Sequence, residues 1–299
     1  MATVLESLSA DLAQAVERAG QSLVRVDARR RQAATGIVFS PDGLIVTAHH
    51  VVGRDENIGI GLPDGRTATA ALVGRDPTTD IAVLRVQATG LSPAEWTPIE
   101  SVQVGHLVLA VGRPDASPQA TLGVISALDS GWRTMAGGAI DAYIQTDVVM
   151  YPGFSGGALV GANGAFIGMN SSLLARGVSV TLPAATLRRV VDSLQAHGRV
   201  RRGFLGVNAQ AVRLSPSLAE SLGQETGLLL AAVEPGSPAE AGGLIVGDIV
   251  VELDGHAVRQ MDDLMAALSG DRVGRDVPVK IVRGGQPSEL QVTVGERTS

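Results

Sequence analysis

The chain runs to 299 residues, 45% of them apolar, which is enough to build a core in each of two or three modest domains and excludes overall disorder. Aromatic residues make up only 3% while glycine fills 37 positions, so the interior must be aliphatic and the backbone must turn often. Acidic residues number 30 against 24 basic ones, a net charge of −6 that argues against a nucleic-acid partner, and the lack of cysteine excludes disulfides, thiolate metal sites and cysteine nucleophiles.

Leu5, Leu8, Leu12 and Val16 recur at helical spacing ahead of Gly20, so residues 1–20 read as an amphipathic helix that packs on something. The opening Met1-Ala2-Thr3-Val4-Leu5-Glu6 carries neither a basic leader nor an apolar signal core, which sets the expectation of a cytoplasmic protein. No apolar run approaches the roughly 18 residues needed to cross a bilayer. Arg29-Arg30-Arg31, the one basic cluster, reads as a solvated turn. From Leu23 to about Val180, short apolar runs such as Gly36-Ile37-Val38-Phe39, Leu44-Ile45-Val46 and Ile81-Ala82-Val83-Leu84 alternate with turn signals. These signals include Pro41-Asp42-Gly43, Pro63-Asp64-Gly65 and Asn163-Gly164, and many short strands so spaced predict a sandwich or barrel. A helix is predicted over 183–196. The hinge that follows, Gly198 and then Arg199-Val200-Arg201-Arg202-Gly203, marks a domain boundary. Beyond it lie about a hundred residues, the size of an independent domain, with strands predicted near 227–233, 248–253 and 277–282 and a helix near 262–268.

Gly153-Phe154-Ser155-Gly156-Gly157 sets a serine among glycines, where the backbone can turn sharply enough to aim the N–H groups of Gly153 and Ser155 at one point. An acyl-transfer site needs such donors for its tetrahedral oxyanion. The same five residues also fit a plain glycine-rich turn with an incidental serine. A nucleophilic serine needs a base within hydrogen-bond reach, itself oriented by a carboxylate. Upstream, residues 44–52 form a strand ending in His49 and His50, and residues 76–84 place Asp76 and Asp80 in a turn feeding a buried strand. The Gly-x-Ser-x-Gly pattern fits the nucleophile elbow of an α/β-hydrolase too. That fold needs an acid and then a histidine after the serine, and only His197 and His256 follow Ser155.

Taken together, these blocks resemble the HtrA (Deg) serine proteases, chymotrypsin-like double β-barrels followed by a PDZ domain, and the resemblance covers nearly the whole chain. The histidine block resembles Gly43-Leu44-Ile45-Val46-Thr47-Ala48-His49-His50-Val51-Val52, which implies His50 as the base. Asp76-Pro77-Thr78-Thr79-Asp80-Ile81-Ala82-Val83-Leu84 implies Asp80 as the orienting acid. The stretch from Gln145-Thr146-Asp147 to Pro152-Gly153-Phe154-Ser155-Gly156-Gly157-Ala158-Leu159 implies Ser155 as nucleophile, with the Gly153 and Ser155 N–H groups as oxyanion hole. His49 is read as a structural neighbour, since adjacent residues of an extended segment point to opposite sides. Asp76 is read as a turn cap, Asp147 as a hydrogen-bonded loop residue, and His106 and Asp55 have no role.

The fold class implied is mainly β, with an N-terminal helix over 1–20, two barrels over 21–197 split near 115–120, a hinge over 198–203, and a small β-rich α+β PDZ domain over 204–299. The implied specificity pocket involves Val149, Met150, Ser171, Leu173 and Val180, all uncharged. A charged substrate side chain buried there would lack a partner, so cleavage is expected after Val, Ala or Leu. In the C-terminal domain Arg202-Gly203-Phe204-Leu205-Gly206-Val207 resembles a carboxylate-binding loop, and Val233-Glu234-Pro235-Gly236-Ser237-Pro238 with Gly247-Asp248-Ile249-Val250 extends the match. A peptide would add as a strand beside Phe204, Leu205, Gly206 and Val207, with Met261 and Met265 on the facing helix. Leu264 and Leu268 are assigned to the core, and Arg201 or Arg202 either reinforces the carboxylate site or stays solvated.

Three departures stand out: Phe154 and Ala158 where the family usually has Asn and Pro, Val178-Ser179-Val180-Thr181-Leu182-Pro183 in place of a Gly-Phe-Ala-Ile-Pro stretch, and an N-terminal segment without the aromatics that hold many relatives as trimers. Phe154 cannot pair with a newly cut N-terminus, so activation by such a cut is not expected. The resemblance implies an ATP-independent serine endopeptidase of protein quality control, acting on unfolded or damaged polypeptides with no metal or cofactor. Peptides with free C-termini would bind the PDZ domain, and the chain would form a homo-oligomer, a trimer by the resemblance. The alternative is a peptide-binding or chaperone-like scaffold whose protease site rests in a collapsed state.

Overall fold

The computed structural model describes residues 3–29, 32–175, 179–268 and 272–297; Arg30 and Arg31 of the basic cluster and Val178 of the altered stretch lie outside the described residues. The chain divides into two units, Met1–Val200 and Arg201–Ser299.

The first unit opens with helix α1 (Val4–Gly20). Its start is fixed by a reciprocal cap in which the Glu6 N–H donates to Thr3 Oγ1 at 3.3 Å and the Thr3 N–H donates to the Glu6 carboxylate at 2.6 Å. Only its C-terminal half packs as the apolar spacing predicts. Ala15 and Ala19 are buried with Leu12 and Val16 against them, whereas Leu5 is 77% exposed and Leu8 lies at the surface too. The last turn is held by Arg113, whose guanidinium donates to Gly20 O at 2.9 Å and Ala116 O at 2.6 Å, a cation at the negative end of the helix.

Six strands follow: β1 (Leu23–Asp27), β2 (Ala34–Val38), β3 (Leu44–Ala48), β4 (Ile58–Gly61), β5 (Thr67–Asp76) and β6 (Ile81–Val86). They close into a barrel in the order β1-β2-β3-β6-β5-β4. Strands β2 and β3 are buried on both faces, which explains why Gly36-Ile37-Val38 and Leu44-Ile45-Val46 do not alternate with polar residues. Next come β7 (Leu107–Gly112), β8 (Gln119–Asp129), a short hairpin of β9 (Trp132–Arg133) and β10 (Ala139–Ile140), then β11 (Tyr143–Thr146), β12 (Ala158–Gly161), β13 (Phe166–Ser171) and β14 (Ser179–Pro183). A second barrel closes in the order β11-β14-β13-β12-β7-β8, so the expected double barrel is present. The passage between the barrels runs through 87–106 rather than near 115–120. Residues 113–118 instead join β7 to β8, which pair within the second barrel. Helix α2 (Ala184–His197) ends at Gly198, whose φ of 68° and N–H bond to Leu194 O make a left-handed cap.

Each barrel has its own aliphatic filling, Val24, Val26, Ile45 and Leu84 in the first and Val108, Ile125, Ile144 and Leu159 in the second. A third cluster lies at the seam, where Ile37, Val46 and Val83 of the first barrel meet Val111, Val160 and Leu182 of the second under Leu187, Val190, Val191 and Leu194 of α2. Burial across this seam fixes the barrels against each other, and the functional side chains emerge there.

The second unit contains β15 (Gly203–Phe204), β16 (Val207–Arg213), α3 (Pro216–Leu222), β17 (Thr226–Val233), α4 (Pro238–Ala241), β18 (Ile249–Leu253), β19 (His256–Ala257), α5 (Met261–Ala267), β20 (Asp276–Arg283), β21 (Gln286–Thr293) and β22 (Gly295–Glu296). The sheet runs β16-β17-β18-β20-β21, with β19 paired to β18 and β15 to β22. The sequence reading finds β17, β18 and β20 but not β16 and β21. Those two lie at the sheet edges and are mostly exposed or half-buried, so they lack a continuous apolar run.

One charge is sealed inside this unit. Asp248 is fully buried and its carboxylate accepts from Arg283 Nε and a second guanidinium nitrogen at 2.7 and 2.8 Å, and from the Ile245 N–H at 2.9 Å. Burial pushes the Asp248 carboxyl up, but the Arg283 pair and the Ile245 N–H together hold it below the usual carboxylate range. A depressed folded value contributes stability that is present above the unfolded carboxylate value, about 3.9, and is lost as pH falls through the folded one. Asp248→Asn is expected to lower the unfolding free energy at pH 7 by about 1.5–3 kcal/mol. In urea titrations followed by circular dichroism the gap between variant and wild type should begin to close only below about pH 4 and shrink further as pH falls; a gap independent of pH would contradict this account.

Candidate active site

Strands β3 and β6 are neighbours with Ala48 opposite Ile81, so the residues just after β3 and just before β6 emerge together at one end of the first barrel. These are His50 and Asp80. Residues His49–Val51 form a turn of 3₁₀ helix and not the extended segment the sequence reading assumes. Successive side chains of such a turn diverge by about 120°, which still separates the two imidazoles. His49 Nδ1 is buried without a partner among the described residues, and burial, followed by the charge of Arg75, lowers the ring's basicity.

Asp80 is fully buried and sits at φ 58°, a left-handed conformation that aspartate tolerates better than most residues. Its Oδ1 accepts the His50 backbone N–H at 2.9 Å, its Oδ2 accepts the Ser171 hydroxyl at 2.6 Å, and Oδ2 lies 2.8 Å from His50 Nδ1. An ionised carboxylate only accepts, so the neutral form of the ring carries its proton on Nδ1 and keeps the Nε2 lone pair. The turn behind Asp80 is braced as well. Asp76 accepts from the Thr78 N–H and hydroxyl and from the Thr79 hydroxyl, and Thr134 of the β9–β10 hairpin donates to Thr78 O at 2.7 Å.

The second barrel supplies Ser155 on the bend between β11 and β12. Gly153 and Gly156 have φ of 92° and 82°, and neither has room for a side chain. A Cβ at 153 would come within 2.6 Å of Pro114 and one at 156 within 2.2 Å of Thr35 O. Thr35 of β2 clamps the bend from the first barrel: its hydroxyl donates to Gly153 O at 2.8 Å and accepts the Arg113 N–H at 2.8 Å, while its own N–H donates to Ser155 O at 3.3 Å. Asn170 of β13 holds the far side, accepting from the Gly156 N–H and donating to Gly157 O and Ala158 O. The N–H groups of Gly153 and Ser155 have no partner among the described residues, so the bend keeps two donors unspent.

Phe154, where the family usually has Asn, is fully buried in the core of the second barrel with Val108, Ile125, Ile144 and Leu159. Its ring meets Tyr151 edge-on at 5.8 Å, and the missing side chain of Gly112, whose Cβ would approach the ring to 2.7 Å, makes room for it. The Ser155 bend is thus anchored by an apolar plug.

Ser155 is 7% exposed, and its Oγ lies 2.9 Å from Ser172 Oγ. Among the described residues no hydrogen bond joins Ser155 Oγ to His50. Of the pocket residues, Ser171 faces Val180 across β13 and β14 but turns its hydroxyl to Asp80, Val149 and Leu173 are exposed, and Met150 packs on the second barrel's core. Asp147 accepts the Val124 N–H at 2.6 Å, Asp55 pairs with Arg75, and His106 Nδ1 accepts the Gln103 N–H at 3.2 Å. The sequence reading misses Thr35, Asn170 and Ser172. Residues of these types in strands and loops give no periodic signal, and only the fold shows what they touch.

In the second unit the carbonyls of Leu205 and Gly206 accept from Ala239 and Glu234 at 2.9 and 2.8 Å, while the Leu205 and Gly206 N–H groups have no partner among the described residues. Gly206 has φ 80°, and a Cβ there would fall 2.3 Å from Ser237 Cβ. Met261 is exposed and Met265 half-buried on α5, whereas Leu264 and Leu268 join the core. Arg201 pairs with Glu296 at 3.4 Å.

The sequence matches the trypsin-like peptidase domain family over residues 34–169 and the PDZ domain family over 203–294. Relatives named probable periplasmic serine endoprotease DegP-like, from Halomonas elongata and Chlamydia trachomatis, are 38% and 37% identical over 275 and 266 residues. The alignments take in 89% and 87% of this chain but 57% and 53% of those proteins, so the chain spans little more than half their length. Among solved structures, the HtrA-type protease AlgW with decapeptide has a TM-score of 0.81 at 30% identity, covering 96% of this chain and 99% of that one. The serine endoprotease from Yersinia pestis has 0.79 at 31% identity, covering 96% and 98%. The expectation of a cytoplasmic protein is corrected by these relatives, which are named periplasmic; a chain's opening residues do not report its compartment.

The anchoring of the bend predicts that Phe154→Ala costs about 3–5 kcal/mol of stability, the usual range for emptying a buried aromatic site. Urea unfolding of the two proteins measures it. A loss below about 1 kcal/mol would mean that the ring is not a core residue.

Proposed function

This chain belongs to the HtrA (Deg) family of serine proteases, and on that premise we propose that it is a serine endopeptidase acting without ATP on unfolded or damaged polypeptides. His50 is the general base, Asp80 orients it, and Ser155 attacks the peptide carbonyl. The observation that carries this reading is the contact of His50 Nδ1 with the buried Asp80 carboxylate, which leaves Nε2 of the neutral ring as the bare nitrogen. The Ser155 proton passes to Nε2 as Oγ bonds to the carbonyl carbon, and the negative oxygen forms where the unspent Gly153 and Ser155 N–H groups can receive it. Collapse of the adduct releases the amine with the proton from His50. Water, deprotonated by the same imidazole, then frees the acyl group and restores Ser155.

The uncharged set Val149, Met150, Ser171, Leu173 and Val180 supports cleavage after Val, Ala or Leu. The unpartnered Leu205 and Gly206 N–H groups support capture of a peptide C-terminal carboxylate, with the peptide adding as a strand near Phe204 and Val207 under Met261 and Met265. Assembly as a homo-oligomer, a trimer by family likeness, and action in the periplasm complete the proposal. The scaffold alternative draws on one observation, the engagement of Ser155 with Ser172 in place of His50.

Wild type is expected to degrade an unfolded casein substrate while Ser155→Ala does not; equal behaviour of the two proteins would leave only the scaffold. Asp80→Asn, which offers His50 Nδ1 a donor in place of an acceptor, should lower kcat by about 10⁴. In peptide libraries the residue before the cut should be Val, Ala or Leu, and cleavage mainly after Arg or Lys would refute the uncharged pocket.

A further inference from the structure

Two consecutive serines at the end of β13 divide between two members of the proposed relay. Ser171, buried, gives its hydroxyl to Asp80. Ser172, exposed on the segment that follows, places its Oγ 2.9 Å from Ser155 Oγ. That contact is the one hydrogen bond of the Ser155 side chain among the described residues. The Ser155 hydroxyl has a single proton. If the proton points to Ser172, it is not offered to His50. If instead Ser172 is the donor, it occupies a lone pair of the oxygen that must attack. In both arrangements the nucleophile at rest is less reactive than one engaged with the imidazole.

We infer that Ser172 is a positioning residue that parks the Ser155 hydroxyl, so that each acylation begins by exchanging Ser172 for His50 Nε2. This inference rests on the endopeptidase reading and adds a restraint to it. The contact is one neutral hydrogen bond at a solvent-exposed side chain, so it slows the attack without closing the site.

The test compares the full-length wild type, Ser172→Ala and Ser172→Thr. Two quantities are read: the second-order rate of Ser155 labelling by a small fluorophosphonate, located by peptide mapping, and kcat and KM on one peptide substrate. Ser172→Ala is expected to label about two- to twelve-fold faster, a factor that corresponds to about 0.5–1.5 kcal/mol at 1.36 kcal/mol per tenfold. Its kcat should rise in step with KM unchanged, and Ser172→Thr, which keeps a hydroxyl, should stay near wild type. Labelling of Ser172→Ala at or below the wild-type rate overturns the restraint and leaves the endopeptidase reading standing. If Ser155 is labelled in none of the three proteins, both readings fall together.

Discussion

A carboxylate with no exposure to water is tolerable only when donors replace the hydration it has lost, and the arrangement around Asp80 follows from meeting that requirement. Two of its donors, the backbone N–H and the ring of His50, come from the end of β3, and the third, the Ser171 hydroxyl, comes from β13 of the other barrel. Satisfying one buried charge therefore does three things at once. It fixes the imidazole's tautomer, fixes the ring's orientation, and ties the two barrels together at the place where their side chains emerge. The aliphatic seam beneath, from Ile37 and Val46 across to Val160 and Leu182, supplies the burial that keeps those donors in register.

The bend that carries Ser155 is held by a different kind of constraint. Thr35 reaches across from the first barrel and grips the bend by both its backbone and its hydroxyl, and Phe154 plugs the same bend into the second barrel's core. Both attachments act on the backbone and core packing of residues 153–155 and leave the Gly153 and Ser155 N–H groups unspent. Rigidity of the backbone is thus separated from freedom of the one side chain that must move. A bend fastened by an apolar ring is held by packing, which gives a physical reason why Phe154 can stand where the family usually has Asn.

Much of this was legible in the sequence, and what was not has a common cause. The barrels announce themselves through short apolar runs cut by Pro, Asp and Gly. His50, Asp80 and Ser155 stand out because a histidine, an aspartate and a glycine-flanked serine occur in ordered blocks. The edge strands β16 and β21 escaped notice because half-buried strands lack a continuous apolar run, and α1 was credited with a longer packed face than it has because helical spacing does not reveal where a partner ends. Residues 44–52 read as one strand because isoleucine, valine and threonine surround the two histidines, whereas His49–Val51 folds as a 3₁₀ turn. Thr35, Asn170 and Ser172 were invisible for another reason: their roles are contacts between residues 12 to 118 positions apart, and no local pattern encodes such a contact.

The account stands on the tautomer that Asp80 imposes on His50. Nitrogen-15 NMR of histidine-labelled protein, at a pH where the ring is neutral and with His50 assigned from a His50→Gln variant, reads it directly. The account predicts a proton on Nδ1 and a bare Nε2 in the wild type, with the preference reversed in Asp80→Asn. A wild-type ring protonated on Nε2 would contradict it, because the nitrogen meant to receive the Ser155 proton would already carry one.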